Sequence, residues 1–400
     1  MNRAARRALA FTAALGLALV AAELCVARWF PLPASLYQTD PELLYVPRPL
    51  ARSTKVAGPN GARHWVTTEF NAQGHRGPEF ELAKTKPRAV VYGDSFVLAE
   101  DVEERESFVA RLRADLAEGG ACEVVNSGVS GYGPDQEVLK FEREAPALKP
   151  DLAVFVLYAS NDWGDLVRDK IFRVDADGHA AKNAYVLGPS MLADFERKRR
   201  DASGLALVRA FRKYSLENEQ RRIRERDPNP PYIEWYLRAS QEEFEEYVGR
   251  GDLAVRELWM DYYDADVALH PEWPSSQFKT KLMRAVVERM RDACARRGVA
   301  MLALIVPSAV DLSPKCTIRV DPARYPTWSP SRLTDALESI TTELGVAHVN
   351  LYEPFRAAGP DGLYNGDGNL HWNEAGQALA ARRAAAKLRE LALWPPKRGR

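Results

Sequence analysis

Cysteine is scarce in this chain: Cys25, Cys122, Cys294 and Cys316 are the only four in 400 residues. They lie far apart, with no Cys-x-x-Cys pair and no paired histidine spacing, so they build neither a disulfide framework nor a zinc site. An oxidising compartment would allow one disulfide, but spacing does not reveal its pairing. Net charge is missing too. Fifty-five basic residues offset 55 acidic ones, which removes any global field drawing the chain to nucleic acid or anionic lipid. No segment matches a nucleic-acid-binding module, and no repeat of solenoid length is visible. With 46% hydrophobic residues the chain is not disordered, and its length suits one large α/β domain with an insertion or two modest domains.

Only the N-terminus carries a long apolar run. Arg3, Arg6 and Arg7 precede an uncharged stretch from Ala8 to Ala22, and Glu23 alone interrupts it before Arg28, Trp29 and Phe30. As a helix, Ala8 to Ala27 spans roughly 30 Å, about one bilayer core. The basic start predicts a cytoplasmic N-terminus, with Trp29 and Phe30 at the far interface and the rest outside the cytoplasm. The expectation is a single-pass anchor in the inner (cytoplasmic) membrane with an extracytoplasmic, periplasmic body. A cleaved signal peptide is the alternative, since Val20-Ala21-Ala22 offers small residues for processing. Leu24 is too bulky for Cys25 to be a lipid-attachment site.

The rest divides by pattern. Residues 1–30 are the anchor, and 31–87, rich in Pro, Gly and isolated charges, read as an extended stalk packing on the body through short strands. From Arg88 short β-branched runs alternate with helical periods. Strands are predicted at Ala89–Tyr92, Glu123–Val125, Leu152–Leu157, Met301–Val306 and Ala347–Leu351. Helices are predicted around Phe108–Leu116, Gln136–Glu144, Phe278–Arg297 and Leu333–Leu344, and Asn373 caps a closing helix to about Leu391. Such alternation implies right-handed crossovers and a flavodoxin-like three-layer α/β/α fold around a parallel sheet of about five strands. The body comprises 88–162 and 275–392. Between them, 163–274 breaks the rhythm and is predicted to be a helical insertion, a lid over the ligand-binding edge of the sheet. It carries the run Glu196-Arg197-Lys198-Arg199-Arg200 and the aromatics Tyr232, Trp235, Tyr236, Trp259, Tyr262, Tyr263 and Trp273. Solvated charge and helix–helix packing account for most of these.

Chemistry-bearing residues follow the strands. Gly93-Asp94-Ser95-Phe96 follows the first, Asn126 to Gly131 the second, Ser160-Asn161-Asp162 the third, and a loop ending in His371-Trp372-Asn373 the fifth. Open parallel sheets gather their sites at the carboxyl ends of strands, so these segments should converge on one crevice. Ser95 can serve as nucleophile, His371 as base, and Gly131 N–H and the Asn161 amide as oxyanion donors.

These blocks resemble those of the SGNH (GDSL-type) hydrolase superfamily. The resemblance covers about Arg88 to Trp163 and Phe278 to Leu391. It implies Ser95 as nucleophile, His371 as base, and an oxyanion hole from the N–H groups of Ser95 and Gly131 plus Asn161. Family members place an orienting aspartate two or three residues before the histidine, whereas Asp367 stands four before His371 and Asn369 holds the closer position. Asp367 is the expected partner of the imidazole, reached through a bulging Gly368, and Asn369 or a backbone group is the alternative. Asp94 and Asp162 are weaker candidates, their motifs being explained by loop hydrogen bonding, and Asp361 is too distant to judge.

The expected function is removal or transfer of a small O-acyl group, acetyl foremost, on an extracytoplasmic glycan. Its partners would be an acylated glycan or small ester and the membrane through the N-terminal helix, with no nucleic acid, metal or organic cofactor. The alternatives are a non-catalytic scaffold of this fold in a polysaccharide assembly complex, or a phospholipid or lysophospholipid esterase.

Overall fold

The computed structural model describes residues 3–29, 36–57, 64–183, 193, 196, 204–211, 215, 233–249, 263–314, 316, 318, 320–366 and 369–395. Phe30, Arg197 to Arg200, Tyr232, Trp259, Tyr262, Asp367 and Gly368 lie outside the described residues.

Helix α1 spans Arg3–Trp29, and the apolar 18-residue window within Arg3 to Arg28 has a mean hydropathy of 2.2, with none of it buried by the protein. By length and composition it can cross a membrane or act as a signal anchor. Two antiparallel hairpins follow, β1 (Tyr37–Asp40) with β2 (Leu44–Pro47) and β3 (Arg52–Ala57) with β4 (His64–Glu69). They are seated against the body: Leu43, Leu44, Tyr45, Phe70 and Arg76 are buried.

The central sheet is parallel and five-stranded. Its strands are β5 (Arg88–Tyr92), β6 (Glu123–Asn126), β7 (Leu152–Tyr158), β10 (Ala300–Val306) and β11 (His348–Asn350), ordered β11-β10-β7-β5-β6. All seven residues of β7 are buried, as expected of a parallel strand covered on both faces. Alternate residues feed two apolar layers. Val90, Tyr92, Phe155 and Leu157 face α4 (Pro134–Leu148) and the long helix α8 (Pro274–Ala295). Val91, Val154 and Val156 face α3 (Phe108–Ala117) and the closing helix α12 (Glu374–Glu390), which follows α9 (Ala309–Leu312), α10 (Arg332–Glu343) and α11 (Tyr352–Ala357). Each fully buried aliphatic or aromatic side chain contributes roughly 1.5–3 kcal/mol.

The chain leaves the sheet between β7 and α8. The described parts of this excursion include α5 (Asp162–Asp169), the two-stranded β8 (Phe172–Val174) and β9 (Ala180–Lys182), α6 (Ile233–Gly249) and α7 (Ala265–Leu269). Asp264 stitches its end to the site loop: its N–H donates to Ser160 O (2.7 Å), and its Oδ2 accepts from Gly164 N (2.8 Å). Buried Lys279 holds Asp264 and Asp266 at 2.8 and 2.9 Å.

Candidate active site

The first crossover is a sharp one. Directly after β5, Gly93 packs so closely that a Cβ there would lie 2.3 Å from Val97 Cγ2. Asp94 Oδ1 then accepts from Phe96 N (2.8 Å) and starts the short helix α2 (Ser95–Leu98), which lifts Ser95 to the sheet edge. The far end of this turn is fixed from outside. Buried Arg76 donates from Nη1 to Leu98 O and Ala99 O and from Nη2 to Val102 O (2.7 Å). That arrangement satisfies carbonyls a short helix would leave bare.

His371 arrives on another short antiparallel pair, β12 (Tyr364–Gly366) with β13 (Asn369–Trp372). The next residue, Trp372, is fully buried against Phe96 (4.9 Å) and Phe355 (5.3 Å), and Asn373 caps α12 through bonds from Ala375 N and Gly376 N. The imidazole is thereby pinned between a core tryptophan and a helix cap. Its Nε2 lies 2.7 Å from Ser95 Oγ. Its Nδ1 lies 2.8 Å from Asn369 Oδ1, the oxygen that also accepts from His371 N (3.0 Å). An amide oxygen only accepts, so Nδ1 carries the proton and Nε2 presents its lone pair to the serine hydroxyl. The Phe96 ring covers the imidazole at 5.1 Å.

Ser95, Asn161 and His371 line one cavity of about 370 Å³, with Lys55, Asp101, Tyr158, Tyr236, Tyr263 and Asn369 among its other walls. Asn161 is buried at the start of α5, where its backbone oxygen accepts from Asp165 N (2.9 Å). Among the described residues, Gly131 is not part of this lining. It lies in the loop after β6 with φ +76°, where an L side chain would be strained and would approach the Tyr45 hydroxyl at 3.0 Å. Asp94 and Asp162 make the local bonds anticipated for them, Asp162 Oδ2 accepting from Tyr158 N (2.7 Å). Burial, then the neighbouring Asp94 and Glu137, raises the Asp162 carboxyl well above its usual range.

Two residues at the site, Asp101 and Lys55, had no signal in the sequence reading, and Tyr263 was read only as one of the insertion's aromatics. Asp101, six positions past Ser95, places Oδ2 3.6 Å from His371 Nδ1. Lys55, on β3 of the segment assigned to a stalk, pairs with Asp101 Oδ1 at 3.0 Å and with Glu100 at 3.5 Å. Tyr263 bonds Asp311 Oδ1 through its hydroxyl (2.6 Å) and forms part of the cavity wall with Tyr236 from α6. Of the two residues weighed as imidazole partners, Asn369 is found at the ring, while Asp367 lies outside the described residues.

Residues 257–399 match the family described as SGNH hydrolase-like domain, acetyltransferase AlgX. That stretch is about a third of the chain and contains His371 but not Ser95. The remaining blocks stand in the order the fold requires, each at the carboxyl end of a strand. The chain has an SGNH-type hydrolase domain. No curated protein matches the SGNH-type chain. Among solved structures, the lipase/acylhydrolase from Enterococcus faecalis is 12% identical, covering 78% of this chain and 100% of its own, with a TM-score of 0.38. A catalytic mutant of Axe2, an acetylxylan esterase from Geobacillus stearothermophilus, is 13% identical over 78% of this chain and 97% of its own, with a TM-score of 0.37. Likeness at this level transfers no residue's role.

Proposed function

We propose that this SGNH-type chain is a membrane-tethered serine esterase or acyltransferase, which removes or transfers a small O-acyl group, acetyl foremost, on an extracytoplasmic glycan. The observation that carries the chemistry is the 2.7 Å contact between Ser95 Oγ and His371 Nε2 inside an open cavity. Acetyl on a glycan is supported by the acetyltransferase in the matched family's description and by the apolar helix at the N-terminus.

In the proposed reaction Ser95 Oγ attacks the ester carbonyl carbon while His371 Nε2 takes the hydroxyl proton. The carbonyl electron pair moves onto oxygen, which the Asn161 amide and the N–H groups of Ser95 and Gly131 would receive. Collapse restores the carbonyl, breaks the bond to the leaving alkoxide, and returns the proton from Nε2 to that oxygen. Water or a second sugar hydroxyl then repeats the sequence on the acyl-enzyme, giving hydrolysis or transfer.

One observation favours a second reading. An amide, not a carboxylate, touches His371 Nδ1, so the imidazolium lacks a directly bonded anion, as an idle scaffold of this fold would show. Incubating the full-length chain in detergent with a fluorophosphonate separates the two. A working serine is labelled at Ser95, and Ser95→Ala abolishes both labelling and p-nitrophenyl acetate turnover. An unlabelled wild type means a scaffold, and undiminished labelling of Ser95→Ala removes Ser95 as nucleophile.

A further inference from the structure

Asn369 uses one oxygen for two bonds from His371, to Nδ1 at 2.8 Å and to the backbone N at 3.0 Å. Its amide nitrogen is then the atom left to donate, and the Asn369 side chain is among the groups that hold the Asp101 carboxyl down. Asp101 Oδ2 also lies only 3.6 Å from Nδ1 itself. The carboxylate sits in a built environment. It is mostly buried, Lys55 meets its other oxygen at 3.0 Å, and Arg76 grips the carbonyls of Leu98, Ala99 and Val102 on either side of it. Among the described residues Lys55, Arg76 and His371 act on its charge, and Lys55 also pairs with the adjacent Glu100. Burial alone would raise the Asp101 carboxyl, but the charges of Lys55 and His371, with bonds from Lys55 and Asn369, hold it below the usual carboxylate range. An anion within about 4–6 Å of an imidazole favours its charged form.

We propose that Asp101 supplies the carboxylate of the Ser95–His371 machinery, acting through Asn369, so that the acid comes from the nucleophile's own loop rather than from the segment carrying the base. This rests on the reading of Ser95 and His371 as an acyl-transfer pair. When Nε2 takes the serine proton, Nδ1–H stays on the ring and donates to Asn369 Oδ1. The Asn369 amide donates in turn to Asp101, which remains an anion throughout. Asp101 is therefore a positioning and charge-balancing residue that touches no substrate, and Lys55 keeps it ionised as the imidazolium forms and decays.

The test is the second-order rate of fluorophosphonate labelling of the full-length chain in detergent, from about pH 5 to about pH 9. Asp101→Asn should slow labelling on the order of 100-fold. Its acid limb should move to lower pH, because the imidazolium has lost its anion. Asp367→Asn should slow labelling less than Asp101→Asn does. Adding Asn369→Asp to Asp101→Asn should restore most of the loss, since a carboxylate then abuts Nδ1 directly. Should the lone Lys55 destabilise Asp101→Asn, the pair Lys55→Gln with Asp101→Asn, compared with Lys55→Gln alone, gives the same reading. The inference is overturned if Asp101→Asn keeps the wild-type rate and acid limb, if Asp367→Asn carries the loss instead, or if a folded double variant shows no recovery. An unlabelled wild type overturns it by removing the acyl-transfer reading itself, an outcome distinct from labelling that ignores Asp101.

Discussion

Asn161 lines the cavity with Ser95 and His371 and is buried. If it receives the oxyanion, Asn161→Ala should cost about 2.7–4 kcal/mol in kcat/KM toward an acetyl ester. A loss below about tenfold, roughly 1.4 kcal/mol, would leave Asn161 with a loop-shaping role only. At this scale the sequence was legible where a residue type has one use in one place: a serine after a strand and a histidine before a helix cap. Lys55 and Asp101 were illegible because an isolated lysine in a strand and an acid beside another acid look like ordinary surface charge. Nothing local says that a hairpin will carry one and a bound loop the other to the same imidazole.

The elements that hold the site are short, and their ends matter more than their lengths. Asn373 is two residues past His371 and caps α12 with bonds to Ala375 N and Gly376 N of 2.9 and 3.1 Å. Asn373→Ala should lower stability by about 1 kcal/mol and slow labelling of Ser95 as the imidazole loses its fixed approach. Unchanged melting would show that the cap contributes nothing. Gly93→Ala should be worse, because its Cβ would fall 2.3 Å from Val97 Cγ2. Overpacking of this kind costs roughly 1–3 kcal/mol and would displace Ser95 as well. A Gly93→Ala variant with wild-type melting and labelling would contradict the packing described. The strands and helices of the body followed from periodicity within a few residues. The hairpins of 36–69 did not read as part of the site, because their alternation is weak and their burial depends on the body beneath them.

Across the whole molecule, buried acids set how stability varies with pH. Burial pushes Asp311 up to about 8, against the opposing bond from Tyr263, and burial likewise raises Asp135 to about 7. Both fold best while protonated. Their contribution is present in full below the unfolded value near 3.8 and is lost as pH rises through 7 and 8. Melting temperature should therefore fall on going from about pH 5 to about pH 8, and Asp311→Asn should flatten that slope while still accepting from Tyr263. A slope unchanged in Asp311→Asn would show that this carboxyl does not titrate there. Asp101 has the opposite sign: its lowered value favours folding above 3.8 and loses that contribution as the solution becomes more acid.

The order of strands and blocks along the chain determined the parallel sheet, the crevice at its carboxyl edge, and the meeting of Ser95 with His371. Alternating β-branched and helical periods admit few topologies, and each of these places those loops together. Which groups surround the imidazole was decided only by tertiary structure. The placement of Asn369, Asp101 and Lys55 depends on Arg76 anchoring one loop, Trp372 anchoring another, and a hairpin folding back onto both. Those contacts join residues from 22 positions apart, Arg76 with Leu98, to 276, Phe96 with Trp372, and no local pattern encodes them.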